Sequence, residues 1–133
     1  MILLDTHVLI WFVQADPLLG RHARERIERG EEEIGVSAIT PWEVAMLVGK
    51  KRVSLGRPVG DWIGRTLALD TISLIPLEPG IAVEAGELGL HGDPADRIII
   101  ATARHHKAPL LTADRAILGY GAAGHVETID AAR

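Results

Sequence analysis

Five short runs of apolar residues divide the chain, and they limit its fold more than any other feature of the sequence. Most of the runs are continuous rather than alternating in polarity, which is typical of strands buried on both faces of a parallel sheet. Segments with helical character separate them, so each strand would be joined to the next through a helix. The runs are MILL (1–4), IGVSAI (34–39), SLIPL (73–77), APLLT (108–112) and HVETI (125–129).

The segments between the runs carry the usual start and stop signals of helices. Short helices are predicted from Thr6 and over RAILGY after Asp114, and longer ones over 17–29, 41–51, 59–70, 79–88 and 94–107. The sequence therefore predicts an α/β fold with a central, mostly parallel five-stranded sheet flanked by helices. A length of 133 residues is ordinary for one domain, so we expect a single domain over residues 1–133.

Composition excludes several classes of protein. Hydrophobic residues make up 47% and charged residues 24% of the chain, which is ordinary for a folded globular protein. There is no cysteine, so any metal must bind oxygen or imidazole. The chain has neither a basic leader nor about 20 consecutive apolar residues, so we expect a cytoplasmic protein without a membrane segment. Its net charge of −4 gives no general attraction to nucleic acid.

Four acidic residues follow the predicted strands or open the predicted helices. Asp5 comes directly after the first run, Glu43 opens the helix after the second, Asp96 opens the helix before the fourth, and Asp114 follows the fourth. In a parallel α/β sheet, the carboxyl ends of the strands and the amino ends of the helices lie along one edge, where ligands bind. We therefore expect all four carboxylates at that edge.

Each acid also has a structural explanation as a helix cap. Asp5 can cap the helix from Thr6, Asp114 can cap the helix that follows it, and Thr40 with Glu43 fits a capping box. Caps do not require a carboxylate every time, because serine, threonine or asparagine serve as well. The two explanations stay open for each acid taken alone.

The stretch HGDPADRIIIATA, from His91 to Ala103, presents the same question within one motif. Asp93 fits the N-cap of a helix, Pro94 its first position, and Asp96 its third, against the positive end of the helix dipole. A helix start therefore explains both acids, and a metal site explains them as well.

Four clustered carboxylates would repel one another, by up to about 4 kcal/mol per pair at close approach in a medium of intermediate dielectric. Such a cluster requires a cation. Hard oxygen ligands without cysteine favour Mg²⁺ or Mn²⁺, which also bind phosphate oxygens. Phosphodiester hydrolysis is the chemistry that this arrangement suggests.

Four segments, in order and spanning nearly the whole chain, resemble the PIN-domain ribonucleases and, more narrowly, the VapC-type toxins of bacterial toxin–antitoxin pairs: LLDTHVLIW, SAITPWEVAML, HGDPADRIIIATA and LLTADRAIL. The resemblance implies that Asp93 is a helix cap. It also implies an acidic metal site with polar neighbours, formed by Asp5, Glu43, Asp96 and Asp114 with Thr6 and Thr112.

The function that the resemblance implies is a metal-dependent endoribonuclease, the toxin of a toxin–antitoxin pair, in which Mg²⁺ or Mn²⁺ activates water to hydrolyse RNA. It further implies a cognate antitoxin and a homodimer. Two alternatives remain: a phosphatase that uses Asp5 as a covalent nucleophile, and a non-catalytic module that binds a metal.

Other side chains have simpler explanations. His105 and His106 lie at the end of a predicted helix, where they favour exposed carbonyl groups rather than a metal. The basic clusters are interpreted as solvated surface, with some residues available to RNA backbone; they are Lys50 to Arg52 and the arginines at 21, 24, 26 and 29. The large aromatic residues are predicted to be core: Trp11, Phe12, Trp42 and Trp62. Neighbours on a helix point in different directions, so Trp11 and Phe12 are not both expected to face inward, and one of them is available to a partner.

Overall fold

The five predicted strands form one sheet. The computed structural model describes residues 1–90 and 92–133, so His91, the first residue of the HGDPADRIIIATA motif, lies outside the described residues. The strands are one or two residues shorter than the apolar runs that predicted them. They are β1 (Ile2–Leu4), β2 (Ile34–Ser37), β3 (Ile72–Ile75), β4 (Leu110–Thr112) and β5 (Thr128–Asp130).

Every strand pairing in this sheet is parallel, which confirms the α/β prediction. The strand order is β3-β2-β1-β4-β5, so β1 is central and has a neighbour on each side. Ile2 aligns with Ile34 of β2, and Leu3 aligns with Leu110 of β4. All three residues of β1 are fully buried, which explains why its sequence is continuously apolar.

Helices cover both faces of the sheet. Ile2 and Leu4 point into one core with the first four helices, and Leu3 points into a second core with the last three, because successive side chains of a strand alternate in direction. No helix in the described residues has the length and apolarity needed to cross a membrane. The helices are α1 (Thr6–Val13), α2 (Arg21–Glu28), α3 (Thr40–Gly49), α4 (Val59–Leu67), α5 (Pro79–Glu87), α6 (Pro94–His106) and α7 (Arg115–Ala122).

The helix predicted over 17–29 begins four residues later than expected. Asp16 forms a turn in its place, since its side chain accepts a hydrogen bond from Leu18 N and its carbonyl accepts one from Leu19 N. The backbone of Gly20 then packs against Arg133, at a distance that leaves no room for a side chain. Ala23 N in the first turn of α2 donates to the Arg133 carbonyl, so the last residue of the chain caps this helix.

Three helices end in a non-glycine residue with left-handed backbone: Ala15, Lys51 and Lys107. At the end of α3, Arg52 N donates to the Leu47 carbonyl and Lys51 N to the Val48 carbonyl. This pair of hydrogen bonds is the Schellman motif, which usually has glycine at the left-handed position. The backbone after α3 is therefore fixed by hydrogen bonds.

One prediction for the aromatic residues is wrong. Trp62 is buried at 4% exposure, and Trp11 and Phe12 both pack partly against the first core. Trp42 is 55% exposed, because it lies on the outer side of α3. The buried stripe of that helix has the expected helical spacing and consists of Thr40, Glu43, Val44 and Leu47.

Candidate metal centre

Asp5 stands at the carboxyl end of the central strand, where the chain turns from β1 into α1. Its side chain is 6% exposed, and both of its carboxylate oxygens accept hydrogen bonds. Oδ1 accepts from Thr6 N at 2.8 Å, and Oδ2 accepts from Thr112 Oγ1 at 2.6 Å. Asp5 is therefore both the N-cap of α1 and a buried carboxylate held in one orientation.

Glu43 lies in the first turn of α3, and its side chain is 5% exposed. The capping box suggested by the sequence does not form among the described residues: α3 begins at Thr40 and has Ile39 at its N-cap. The Thr40 hydroxyl instead lies 3.1 Å from the Thr6 hydroxyl. Glu43 Oε1 is buried without a hydrogen-bond partner in the described part of the chain. A buried acceptor left in this way calls for a partner from outside the protein: a water molecule, a proton or a cation.

Asp93 and Asp96 open α6 together. Asp93 is the N-cap, and its Oδ1 accepts from Asp96 N at 2.9 Å, which confirms the predicted cap. Oxygens of Glu43, Asp93 and Asp96 also lie within 4.8 Å of one another, close enough to share a metal ion. The sequence analysis assigned Asp93 only as a helix cap and missed that its carboxylate also lies within reach of a shared metal ion. The signal that would have found it is the three-residue spacing, which places Asp93 and Asp96 on one side of the helix start.

Asp114 is the N-cap of α7 and follows β4. Its Oδ1 accepts from Ala116 N at 2.8 Å and from Ile117 N at 3.1 Å. Asp114 N donates to Thr112 Oγ1 at 3.1 Å, and the same hydroxyl donates to Asp5. Thr112 therefore joins Asp5 to the backbone of Asp114, while neither acid belongs to the group of three oxygens around Glu43.

The pKa values show that the five acids share one electrostatic environment. Burial and, to a smaller extent, the charges of neighbouring acids together raise the pKa of Asp96 to about 7; those acids are Asp93, Asp5, Glu43 and Asp114. Burial also raises the pKa of Asp5, against the hydrogen bonds from Thr112 and Thr6. Burial raises the pKa of Glu43, and the charges of Asp5 and Asp93 add to this. Carboxylates that disfavour ionisation together are typical of a cation site.

These donors suit a divalent metal ion. They are all hard carboxylate oxygens, one of them is buried and lacks a partner, and their charges repel one another. His105 and His106 lie in the last turn of α6, at the opposite end of that helix from Asp96. His105 Nε2 lies 3.8 Å from a Glu78 oxygen, and neither residue belongs to a metal-competent group in the described residues.

The comparison with protein families assigns the chain. The model of the PIN domain matches residues 2–122. The chain belongs to the PIN domain family. This PIN domain is also 37% identical over 116 residues to Ribonuclease VapC22 of Mycobacterium tuberculosis (strain ATCC 25618 / H37Rv), covering 86% of this chain and 87% of that protein. The resemblance recognised in the sequence is confirmed.

Solved structures share the fold of this PIN domain. A toxin–antitoxin complex from Klebsiella pneumoniae matches with a TM-score of 0.65 and 23% identity, over 98% of this chain and 97% of that one. The VapBC2 complex from Rickettsia felis, bound to a fragment of its promoter DNA, matches with a TM-score of 0.68 and 17% identity, over 97% of this chain and 98% of that one. At these identities the likeness establishes the PIN fold.

Proposed function

We propose that this PIN domain is a metal-dependent endoribonuclease and the toxin of a toxin–antitoxin pair. The observation that carries the proposal is the group of carboxylates at the carboxyl edge of the sheet, in a chain 37% identical to a ribonuclease. The reaction is hydrolysis of an RNA phosphodiester bond, in which water attacks phosphorus and a ribose oxygen leaves.

The residues that would hold Mg²⁺ or Mn²⁺ are Asp5, Glu43, Asp96 and Asp114, and the geometry adds Asp93. When bound, such an ion lowers the pKa of water and neutralises charge on the phosphate. Thr112 keeps Asp5 in one orientation through its 2.6 Å hydrogen bond. The Thr6 hydroxyl lies against Thr40 and keeps the start of α3, and with it Glu43, close to α1.

Glu43 has a second role available. Its Oε1 is buried and unpartnered among the described residues, and burial raises its pKa. This oxygen can accept a hydrogen bond from water and take up a proton, which is the requirement for a general base. We therefore assign Glu43 to orienting water as well as to holding metal.

The alternative of an aspartyl-phosphate phosphatase has no support in the geometry. A carboxylate oxygen that accepts one hydrogen bond keeps a lone pair for a metal ion. A covalent phosphoryl group would in addition need space beside Asp5, whose side chain is only 6% exposed.

The relatives motivate three further parts of the proposal. Solved neighbours include a toxin–antitoxin complex, so we propose a cognate antitoxin as partner, and a homodimer of this chain. We also propose that residues 1–133 form one nuclease domain, because β5 at 128–130 belongs to the same sheet as β1. A cytoplasmic location stays a prediction.

The test is a pair of matched substitutions. Asp96→Asn and Asp61→Asn make the same change at the third position of a helix, in α6 and in α4. We expect Asp96→Asn to lower Mn²⁺-dependent cleavage of a labelled RNA by at least about a hundredfold. Asp61→Asn should cleave as the unaltered protein does, and circular dichroism should show both folded. Cleavage by Asp96→Asn within about twofold of the unaltered protein would contradict the proposal.

A further inference from the structure

Two clusters of basic side chains in this protein differ in whether they form ion pairs. The four arginines of and after α2 each face a carboxylate: Arg21 with Glu25, Arg24 with Glu28, Arg26 with Glu32 and Arg29 with Glu31. Lys50, Lys51 and Arg52 are all exposed, and no salt bridge to them occurs in residues 1–90 and 92–133. From Val44 to Gly60 the sequence contains no acidic residue at all. The end of α3 is therefore a local positive charge in a protein whose net charge is −4.

The outer face of α3 connects this basic segment to the metal centre. Trp42, Ala45 and Gly49 are exposed and share one side of the helix, at spacings of three and four residues. Trp42 is 55% exposed and precedes Glu43, which points inward to the carboxylates. Ala45 and Gly49 add neither charge nor bulk. We call these six residues the α3 track: Trp42, Ala45, Gly49, Lys50, Lys51 and Arg52.

We propose that the α3 track binds single-stranded RNA next to the cleaved bond, with a base stacked on Trp42 and phosphates against Lys50, Lys51 and Arg52. The proposal rests on the ribonuclease function proposed above. Surfaces that bind single strands combine a stacking aromatic with a positively charged path for the backbone. With a rise of about 1.5 Å per residue, Gly49 at the end of α3 lies about 9 Å along the helix axis from Glu43, and the three basic residues follow it directly. The basic residues therefore contact phosphates several ångströms beyond the cleaved one.

Two features suit the track to this role. The five carboxylates of the metal centre repel RNA unless a cation is bound, so attraction for the rest of the strand must come from another surface. The Schellman hydrogen bonds from Lys51 N and Arg52 N hold the backbone of the basic segment in place. Charge complementarity also favours RNA over a protein as the occupant, because this helix face offers a neutral surface that ends in three cations without an ion pair in the described part of the chain.

The first experiment measures the salt dependence of RNA binding. On the Asp96→Asn background, at constant Mg²⁺, anisotropy of a fluorescein-labelled 20-nucleotide mixed-sequence RNA is titrated at several NaCl concentrations. Each phosphate contact on a single strand contributes a slope of about −0.7 in log affinity against log salt. Changing Lys50, Lys51 and Arg52 to Gln should flatten the slope by about 2. The matched control changes three exposed, ion-paired arginines to Gln, namely Arg21, Arg29 and Arg133, and should leave the slope nearly unchanged.

The second experiment tests stacking. Trp42→Ala should weaken binding of the same RNA by about 5- to 150-fold, and Trp42→Phe should restore most of the affinity. In the otherwise unaltered nuclease, both the triple variant and Trp42→Ala should raise KM for RNA far more than they lower kcat. A purely structural role for Trp42 would appear as a lower melting temperature with Phe and Ala alike.

The outcomes separate the two proposals. If the unaltered protein neither binds nor cleaves RNA, the ribonuclease function fails. The unaltered protein could instead cleave RNA while the triple variant of Lys50, Lys51 and Arg52 and the arginine control flatten the salt slope equally. In that case the proposal for the α3 track is overturned and the ribonuclease function stands. If the track variants bind RNA normally but change the mass measured by light scattering, this face of α3 is a protein interface, and the track is likewise overturned.

Discussion

At the scale of single residues, one hydroxyl group holds two parts of the metal centre together. Thr112 Oγ1 donates to Asp5 Oδ2 at 2.6 Å and accepts from Asp114 N at 3.1 Å. Thr112 is fully buried, so bulk water cannot take the place of its hydroxyl group in these two hydrogen bonds. The orientation of Asp5 and the start of α7 thus depend on the same oxygen.

Thr112→Val removes that oxygen and keeps the shape of the side chain. Asp5 Oδ2 and Asp114 N then lose their partner, so we expect a loss of about 1–3 kcal/mol in the free energy of unfolding. We also expect weaker Mn²⁺ binding, because Asp5 is no longer held in one orientation. Urea unfolding and calorimetric titration with Mn²⁺ measure the two effects. Thr112→Ser retains the hydroxyl and should behave nearly as the unaltered protein; equal losses in both variants would assign the effect to packing.

The raised pKa of Asp96 predicts how stability depends on pH in the absence of metal. Burial and the neighbouring negative charges bring the pKa of this carboxyl to about 7, whereas in an unfolded chain it is about 3.9. The folded state therefore holds the proton more tightly, and the stability that this contributes is complete below about pH 4 and is lost as the pH rises toward 7. In EDTA, the urea midpoint should be lower at pH 8 than at pH 5.5. Asp96→Asn should flatten this dependence, and a decline of the same size in the variant would rule out Asp96 as its source.

The sequence allowed the four acids to be placed at one edge, because strand ends and helix starts must meet there in a parallel sheet. The sequence did not show that one carboxylate can be both a helix cap and a possible metal ligand. Asp93 both caps α6 and lies within 4.8 Å of Glu43 and Asp96. The capping box at Thr40 failed because α3 starts one residue earlier than the motif requires, so the Thr40 hydroxyl faces Thr6 instead. Where a helix starts and which partner a hydroxyl group finds depend on contacts between segments that are distant in the sequence.

At the scale of elements, three helices end in a backbone conformation that lowers the free energy of unfolding. Ala15, Lys51 and Lys107 all adopt positive φ values, which cost an ordinary residue about 1–2 kcal/mol. The helix starts, in contrast, are well capped at α1, α6 and α7 by aspartate side chains. Apolar runs predicted the strands and the cap signals predicted these helices. The start of α2 could not be predicted, because it depends on the Asp16 turn and on Arg133, more than a hundred residues away.

Ala15→Gly tests this cost directly. Glycine adopts the left-handed conformation freely, so we expect the free energy of unfolding to rise by about 0.5–1 kcal/mol. Ala82→Gly makes the same chemical change inside α5, at an exposed position, and should lower it by about 1 kcal/mol. Thermal or urea unfolding of both variants provides the comparison. A loss of stability in both would mean that φ at Ala15 is not strained.

At the scale of the whole molecule, charge is concentrated at one edge, and the metal-free protein stores the resulting repulsion. The charge of Asp114 raises the pKa of both Asp5 and Asp96, although it lies outside the closest group of oxygens. A bound cation would convert this repulsion into attraction. Stability and metal binding are therefore coupled through the folded state.

Asp114→Asn should reveal the coupling in thermal melts. Asparagine caps a helix as well as aspartate does, so α7 is kept while one charge is removed. We expect the variant to melt higher than the unaltered protein in EDTA. Mn²⁺ at about a hundred times its dissociation constant should stabilise the unaltered protein by about 2.7 kcal/mol, and the variant less. The control is Asp61→Asn, which removes a carboxylate that pairs with Arg57 and Arg65 and which should respond to Mn²⁺ as the unaltered protein does. A lower melting temperature for Asp114→Asn in EDTA would favour a pure capping role.

The central position of β1 has a consequence for how the protein is made. Its partner β2 is translated soon after it, but its other partner, β4, begins only at Leu110, and the bond from Thr112 to Asp5 spans 107 residues. A growing chain on the ribosome therefore carries Asp5 and Glu43 long before, and Asp96 shortly before, it can close the sheet around them. Any product that stops before β4 lacks the residue that orients Asp5. The complete group of acids can thus assemble only when synthesis of the chain is nearly finished.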